Sequence, residues 1–242
     1  MLQAYPAKQT YFDREAAGYD RRITSNPLRR FMWDREFRAL EKLTRERVFS
    51  SSLILDAPTG TGRFVPLLQA LGHQVVGIDI SSHMIREFRR RAGQRNGNFM
   101  VGDCEALPFD DGVFDYVFTL RFMGHLPPAT RVRVLREFRR VARRGIVAGY
   151  PILNPLTKLK FKLGNTCFWL KERRARPWWP ATSQSLSAEL ALAGLKVAHE
   201  EKLLGPFSQI SFLCLAREEE PGSGGIPSGR EAEFAGSGRI RH

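Results

Sequence analysis

Short apolar runs alternate with amphipathic stretches over most of the chain. The runs predict buried strands, because they are short and are bounded by acidic, glycine or proline residues. The stretches between them repeat apolar residues every three to four positions, which is typical of helices packed on a sheet. The predicted strands cover 53–56, 75–79, 98–101, 113–119 and 145–150, and the predicted helices cover 63–71, 82–92 and a segment that begins at Pro127 and Pro128. This order predicts an α/β, doubly wound, Rossmann-like fold with a mostly parallel sheet.

The pattern changes toward both ends of the chain. Segment 151–182 breaks the alternation, and a helix is then predicted over 184–193, before Gly194. Two apolar segments near 195–203 and 209–216 can pair, so we expect an antiparallel strand at the C-terminal end of the sheet. Before the first strand, a helical spacing is carried by Leu28, Phe31, Met32, Leu40 and Leu43.

Composition limits the class of protein. A chain of 242 residues, 43% of them hydrophobic, can bury one sizeable core, and no apolar run approaches the ~20 residues of a membrane span. Three widely spaced cysteines match neither a disulfide framework nor a metal site, so we expect reduced thiols and a cytoplasmic location. The net charge of +13 would attract nucleic acid, anionic lipid or acidic small molecules. Many of the arginines lie on helical segments, including Arg131 and Arg133, where solvated faces are favoured over a dedicated polyanion site.

The candidate chemistry lies where the first strands end. Asp56 ends the first strand and precedes a turn that contains Gly60 and Gly62, which let the backbone approach a ligand closely. Asp79 ends the second strand and Asp103 follows the third. Because parallel strands end at one edge of a sheet, the three acids predict a nucleotide-shaped crevice there. A nicotinamide dinucleotide fits poorly, because the third glycine of its fingerprint is replaced by Val65.

These residues resemble the class I S-adenosylmethionine-dependent methyltransferases, in the small-molecule subgroup related to ubiquinone and menaquinone methyltransferases. The resemblance covers about residues 50–150, and the run from Glu105 to Asp111 strengthens it. One departure is Pro58, which stands where the family loop commonly has its first glycine and removes one amide donor.

The resemblance implies S-adenosyl-L-methionine as cofactor and no metal. In the family, the glycine loop wraps the amino-acid part of the cofactor, while acids after the second and third strands hold the ribose and the adenine. A carboxylate suits a ribose because it accepts hydrogen bonds from both hydroxyls. In this chain the roles fall on Asp56, Ala57, Gly60 and Gly62 for the amino-acid part, Asp79 with Ile80 for the ribose, Asp103 with Cys104 for the adenine, and Tyr19 as an aromatic neighbour of the sulfonium.

The resemblance also organises the chain into regions. Residues 1–50 are expected to form an N-terminal helical lid, and 51–217 the methyltransferase domain. Segment 151–182 is expected to cap the acceptor pocket. Residues 218–242 are rich in Glu, Gly, Ser and Pro, which predicts a disordered tail.

The acceptor is predicted less closely than the cofactor. His125, after the fourth strand, is the candidate general base, although it can equally pin the loop before Pro127. Arg121 can orient an anionic acceptor or bond locally. The aromatic and basic residues of 151–182 can fill a small core of their own, contact a lipophilic acceptor or an anionic membrane, or stack RNA bases. The chain is therefore predicted to methylate a small molecule that is quinone-like, phenolic or lipidic, with RNA methylation and a non-catalytic scaffold as alternatives.

Overall fold

The computed structural model of the protein describes residues 27–92, 98–153, 179–203 and 210–218. Five α-helices and seven strands lie in these ranges. The helices are α1 (Pro27–Arg47), α2 (Val65–Ala70), α3 (Ser82–Ala92), α4 (Pro128–Val141) and α5 (Ser183–Leu192). The strands are β1 (Leu53–Asp56), β2 (Gln74–Asp79), β3 (Phe99–Val101), β4 (Phe114–Thr119), β5 (Ala142–Pro151), β6 (Leu195–Lys202) and β7 (Ile210–Arg217).

The seven strands form one sheet in the order β3-β2-β1-β4-β5-β7-β6. The first five pair in parallel, and β7 runs antiparallel between β5 and β6. The strand order reverses direction between β1 and β4, where Asp56 pairs with Phe118. In sheets of this kind a ligand binds outside the carboxyl ends of the strands at such a switch point.

Helices cover both faces of the sheet, so the central strands are buried on both sides. One apolar core lies between the sheet and α4 with α5, and includes Leu55, Val117 and Phe138. The other lies between the sheet and α1 to α3, and includes Leu40 and Phe88. Burial on both faces explains why the parallel strands are continuous apolar runs without alternation.

Local signals in the sequence account for several of the helix boundaries. The hydroxyl of Ser81 accepts a hydrogen bond from the Met84 amide at 3.1 Å and so caps α3. Thr182 and Ser185 form a reciprocal capping box at the start of α5. Pro128 occupies the first turn of α4, where its missing amide hydrogen has no helical partner in any case.

The predicted fold is confirmed, including the antiparallel strand near the C-terminus. The boundaries differ in two places: α2 is shorter than predicted because the glycine turn continues to residue 64, and β5 begins three residues earlier because it follows α4 without a loop. Phe31 is 53% exposed, since the buried face of α1 follows Leu40 and Leu43. The proposed division into lid, domain and tail stays a prediction; residues 1–26, 154–178 and 219–242 lie outside the described residues.

The arginines on the helices were predicted to be solvated, and for Arg131 this is wrong. Its side chain is 1% exposed and is paired with Glu189. Other arginines reach backbone carbonyls: Arg140 binds Leu107 and Phe109, and Arg136 binds Leu192 at the end of α5. Much of the positive charge on α4 therefore joins elements of the fold.

No helix within the described ranges is long and apolar enough to cross a membrane. Over the same ranges, no group of His, Cys, Asp and Glu side chains could hold a metal ion.

Candidate active site

The glycine loop, residues 57–64, leaves β1 at the switch point and is fixed to two neighbouring strands. The Ala57 amide donates to the carbonyl of Phe118 on β4 at 2.9 Å, and the Thr59 amide donates to Ile78 on β2 at 2.8 Å. Pro58 follows a cis peptide bond and lies in the wall of the cleft described below. The turn therefore forms with proline at the position where the family commonly has glycine.

Asp79 connects the glycine loop to the start of α3. One carboxylate oxygen accepts from the Gly60 amide and the other from the Ser81 amide, each at 2.8 Å. The residue is 6% exposed. The two amides fix the orientation of the carboxylate, which lies in the wall of the cleft described below.

Asp56 lies at the end of β1, buried beneath the loop. Its carboxyl group accepts a hydrogen bond from the Thr59 hydroxyl at 2.7 Å, and the residue is 3% exposed. Burial raises the pKa of Asp56 to about 7; the Thr59 hydrogen bond opposes this rise and the nearby charge of Asp79 adds to it. A buried acid near neutrality is suited to meet a cationic group of a ligand.

Gly60 and Gly62 both have the left-handed backbone that favours glycine, with φ of 54° and 69°. Their surroundings differ. A Cβ atom added at Gly60 would meet nothing within 4 Å, whereas one at Gly62 would overlap the ring of Phe88. Gly60 thus leaves the loop open toward the cleft, and Gly62 is required for packing against α3.

This difference predicts that alanine at Gly62 mainly lowers stability, whereas alanine at Gly60 mainly weakens ligand binding. Gly62→Ala is expected to lower the free energy of unfolding by about 2–4 kcal/mol, through the backbone conformation and the overlap with Phe88. Gly60→Ala is expected to lower it by only about 1 kcal/mol but to weaken S-adenosylhomocysteine binding by roughly tenfold, because its Cβ lies on the ligand side. Denaturant unfolding and calorimetry measure the two effects; equal losses of stability would contradict the assignment.

Asp103 and Cys104 follow β3 at the same end of the sheet, but neither lies in the wall of the cleft. One oxygen of Asp103 accepts from the Glu105 amide at 2.8 Å, which closes a local turn. Cys104 is 4% exposed. Burial, with the negative charges of Asp79 and Asp103, holds the pKa of the Cys104 thiol well above its usual range, so it stays protonated.

A cleft of about 720 Å³, including its open mouth, lies over the carboxyl ends of β1, β2 and β4. Five of the residues predicted from sequence meet in its wall: Asp56, Gly60, Asp79, Ile80 and His125. Ala57 is buried in the core beneath the cleft and Gly62 packs on Phe88, so these two shape the loop from behind. Tyr19 lies outside the described residues.

Apolar side chains and His125 also lie in the wall of the cleft. Phe64, Leu120 and Phe122 line it, and His125 ends a short 3-10 helix, Met123–His125, that we term the His125 turn. The His125 amide donates to the Phe122 carbonyl at 2.8 Å. The imidazole is half-buried, so it is placed between solvent and the cleft.

Sequence reasoning missed the contribution of α1 to this wall. The guanidinium carbons of Arg63 and Arg121 lie 5.2 and 5.7 Å from the ring centre of Trp33. Arg121 also forms a bidentate ion pair with Glu36, with N–O distances of 2.6 to 2.9 Å. The Glu36 side chain is 5% exposed. Of the two roles left open for Arg121, the structure shows the local bond, and this bond holds α1 against the cleft.

Comparison with known proteins agrees with this geometry. Residues 54–145 match the family model described as a methyltransferase domain. A demethylmenaquinone methyltransferase of Thermotoga maritima is 37% identical over 152 residues, which are 61% of this chain and 62% of that relative. A malonyl-acyl-carrier protein O-methyltransferase of Erwinia pyrifoliae is 36% identical over 112 residues, 45% of this chain and 39% of that relative. The matches therefore span less than two thirds of either relative.

Solved structures share the fold over most of the chain. A magnesium protoporphyrin IX methyltransferase from Synechocystis PCC 6803, solved with bound SAH, superimposes with a TM-score of 0.69 at 21% identity. That match covers 88% of this chain and 99% of the other. Residues 54–145 are thus similar to methyltransferase domains, and the predicted class I, Rossmann-like fold is confirmed.

Proposed function

We propose that this chain binds S-adenosylmethionine in the cleft and transfers its methyl group to a small phenolic or quinol-like acceptor. The observation that carries the proposal is the composition of the cleft lining. It combines the glycine loop and Asp79, which suit the cofactor, with Leu120, Phe122 and His125 from the segment after β4. The apolar side chains of that segment suit a ring-shaped acceptor.

The cofactor would take a definite orientation against Asp79 and the glycine loop. Asp79 would accept hydrogen bonds from the ribose hydroxyls while it still holds the amides of Gly60 and Ser81. The open side of Gly60 leaves space for the amino-acid part, whose ammonium group would lie toward Asp56. The adenine contact with Asp103 stays a prediction, because that side chain is engaged in its own turn and lies outside the cleft wall.

Methyl transfer requires mainly that the protein position the acceptor against the methyl group of the cofactor. The bound cofactor supplies a methyl group on a positively charged sulfonium sulfur, and this sulfur is the leaving group, as a neutral thioether. The apolar side chains of Phe64 and Phe122 would orient an aromatic acceptor and exclude water from it. His125 would take up the proton that a phenolic acceptor loses, since imidazole titrates near neutral pH. The Arg63 guanidinium, in the same wall, would favour the phenolate form of the acceptor.

The alternatives have less support. The RNA alternative was based on the positive net charge. However, many arginines of the described ranges form ion pairs with neighbouring acids, such as Arg133 with Glu105 and Arg143 with Asp115. The non-catalytic alternative drew on Pro58, and the loop forms with this residue in place. A cytoplasmic location and a lipophilic acceptor delivered from a membrane remain parts of the proposal.

Labelled S-adenosylmethionine tests the acceptor class directly. The protein is incubated with the methyl-labelled cofactor and, separately, a reduced 2-alkyl-1,4-naphthohydroquinone, a malonyl thioester and transfer RNA. We expect label in the naphthohydroquinone product. His125→Gln is expected to lower that rate by about 100-fold or more, the effect typical of a lost general base.

His199→Gln is the matched control, because His199 lies on the edge strand β6, three strands away from β4 in the sheet, and does not line the cleft. It should leave the rate unchanged. Label that enters only the thioester or the RNA would contradict the phenolic acceptor, and equal rates for His125→Gln and the wild type would remove the general-base role.

A further inference from the structure

Arg131 is a buried cation with an unusually full set of partners. Arg131 lies three residues after the start of α4. Its guanidinium forms a bidentate ion pair with Glu189 on α5, with N–O distances of 2.7 and 2.6 Å. The same group donates to the carbonyls of Met123 at 3.3 Å, Leu126 at 3.2 Å and Trp179 at 2.6 Å. Its side chain is 1% exposed.

Two of the carbonyls that Arg131 binds lie on either side of His125, which lines the cleft. Met123 begins the His125 turn and Leu126 follows it, so the guanidinium holds the turn at both ends. Trp179 is joined to the same turn by its amide, which donates to the Gly124 carbonyl at 2.9 Å. Arg131 therefore connects α4, α5, the His125 turn and the chain that returns at residue 179.

Stability alone does not account for this arrangement. Removing two charges from water is unfavourable, and a well-packed apolar pair of similar volume is often as stable as a buried ion pair. What an apolar pair cannot supply is a planar donor that reaches three carbonyls in fixed directions. The feature specific to arginine is thus the geometry that it imposes on the His125 turn.

We infer that Arg131, oriented by Glu189, is a positioning residue that fixes His125 in the cleft wall. The inference rests on the proposed function only for the catalytic value of His125; the placement itself is a property of the fold. The hydrogen bonds and ion pair of Arg131 within the described ranges go to Glu189, Met123, Leu126 and Trp179 and not to residues assigned to the cofactor, so its loss should affect the acceptor side of the cleft and spare cofactor binding.

The test compares Arg131→Lys with the wild type in the full chain. Lysine keeps the charge but has one ammonium group in place of the guanidinium fork. The histidine rings are labelled for NMR with S-adenosylhomocysteine present, and the His125 signal is assigned by its absence in His125→Gln. We expect Arg131→Lys to shift or broaden the His125 signal and leave those of the other histidines in place. The dissociation constant for S-adenosylhomocysteine should stay within about twofold.

Turnover of the naphthohydroquinone gives a second readout. Arg131→Lys should lower kcat by about 10- to 100-fold, with the KM for S-adenosylmethionine unchanged, because a displaced base slows the proton transfer without weakening the cofactor. The NMR result stands even if no acceptor is methylated, so failure of the proposed function and failure of this inference are distinguishable.

Val141→Ala is the control, since Val141 is fully buried at the far end of the same helix. It should lower stability without moving the His125 signal. An unchanged His125 signal in Arg131→Lys, or an equal change in Val141→Ala, would overturn the inference. Should Arg131→Lys fail to fold, Glu189→Gln, which loosens the bidentate pair, is judged by the same criteria.

Discussion

Replacing Asp79 by alanine is expected to weaken the binding of S-adenosylhomocysteine by at least about 100-fold. The two carboxylate oxygens of Asp79 each contact the backbone around the cleft, one at Gly60 and the other at Ser81. A hydrogen bond to a charged group contributes roughly 1.5–3 kcal/mol, and tenfold in affinity corresponds to about 1.4 kcal/mol. Loss of two ribose contacts, with a loosened loop, therefore exceeds two orders of magnitude. Calorimetry measures the effect.

Two further variants separate binding from folding in this experiment. Asp79→Asn keeps one acceptor oxygen and removes the charge, so its loss of affinity should be intermediate. Asp110→Ala, at an exposed acid in the loop before β4, should bind the ligand like the wild type. Wild-type affinity in Asp79→Ala, with the fold intact by thermal unfolding, would show that the ribose assignment is wrong.

The cofactor side of the cleft could be predicted from sequence because its residues lie next to strand ends. Asp56 and Asp79 each terminate an apolar run, and parallel strands bring their carboxyl ends to one edge. The order of the runs thus located both acids before any side-chain contact was known. Asp103 shows the limit of this reasoning: it follows β3 as predicted, but its side chain closes a local turn.

The acceptor side depends on contacts between residues far apart in the chain, which patterns cannot show. Arg131 pairs with Glu189, 58 residues away, and Arg121 with Glu36, 85 residues away. Arg131 lies within a run of arginines on an amphipathic helix, and nothing in that run marks it as buried. Only the packing of α5 against α4 removes it from water, so the sequence predicted a solvated charge where the fold has a buried one.

The two halves of the cleft are therefore built differently. The cofactor half is held by backbone hydrogen bonds that join the glycine loop to the neighbouring strands β2 and β4. The acceptor half is held by two ion pairs, of which one joins α1 to Arg121 after β4 and the other joins α4 to α5. Substitutions in these ion pairs should change the acceptor that is used more readily than the cofactor that is bound.

Cofactor binding is expected to release a proton from Asp56. Burial raises the pKa of this carboxyl to about 7, so the free protein holds a proton there at pH 6. A cationic ammonium group placed nearby lowers that pKa again, because the opposite charge favours the carboxylate. Calorimetry at pH 6 in two buffers of different ionisation enthalpy should then show net proton release on binding, and the affinity should rise as the pH approaches 7.

Asp56 also makes stability depend on pH, with a sign that follows from the raised pKa. Between the usual value of 3.8 and about 7, the folded protein binds a proton that the unfolded chain has lost, so the free energy of unfolding falls as the pH rises through this window. Asp56→Asn should remove this fall and be the more stable protein above pH 7. It should also abolish the proton release on binding. Proton release that persists in Asp56→Asn would assign the titrating group elsewhere. Unfolding free energies of the wild type and Asp56→Asn that change in parallel up to pH 7 would show that the buried carboxyl is ionised well below neutrality.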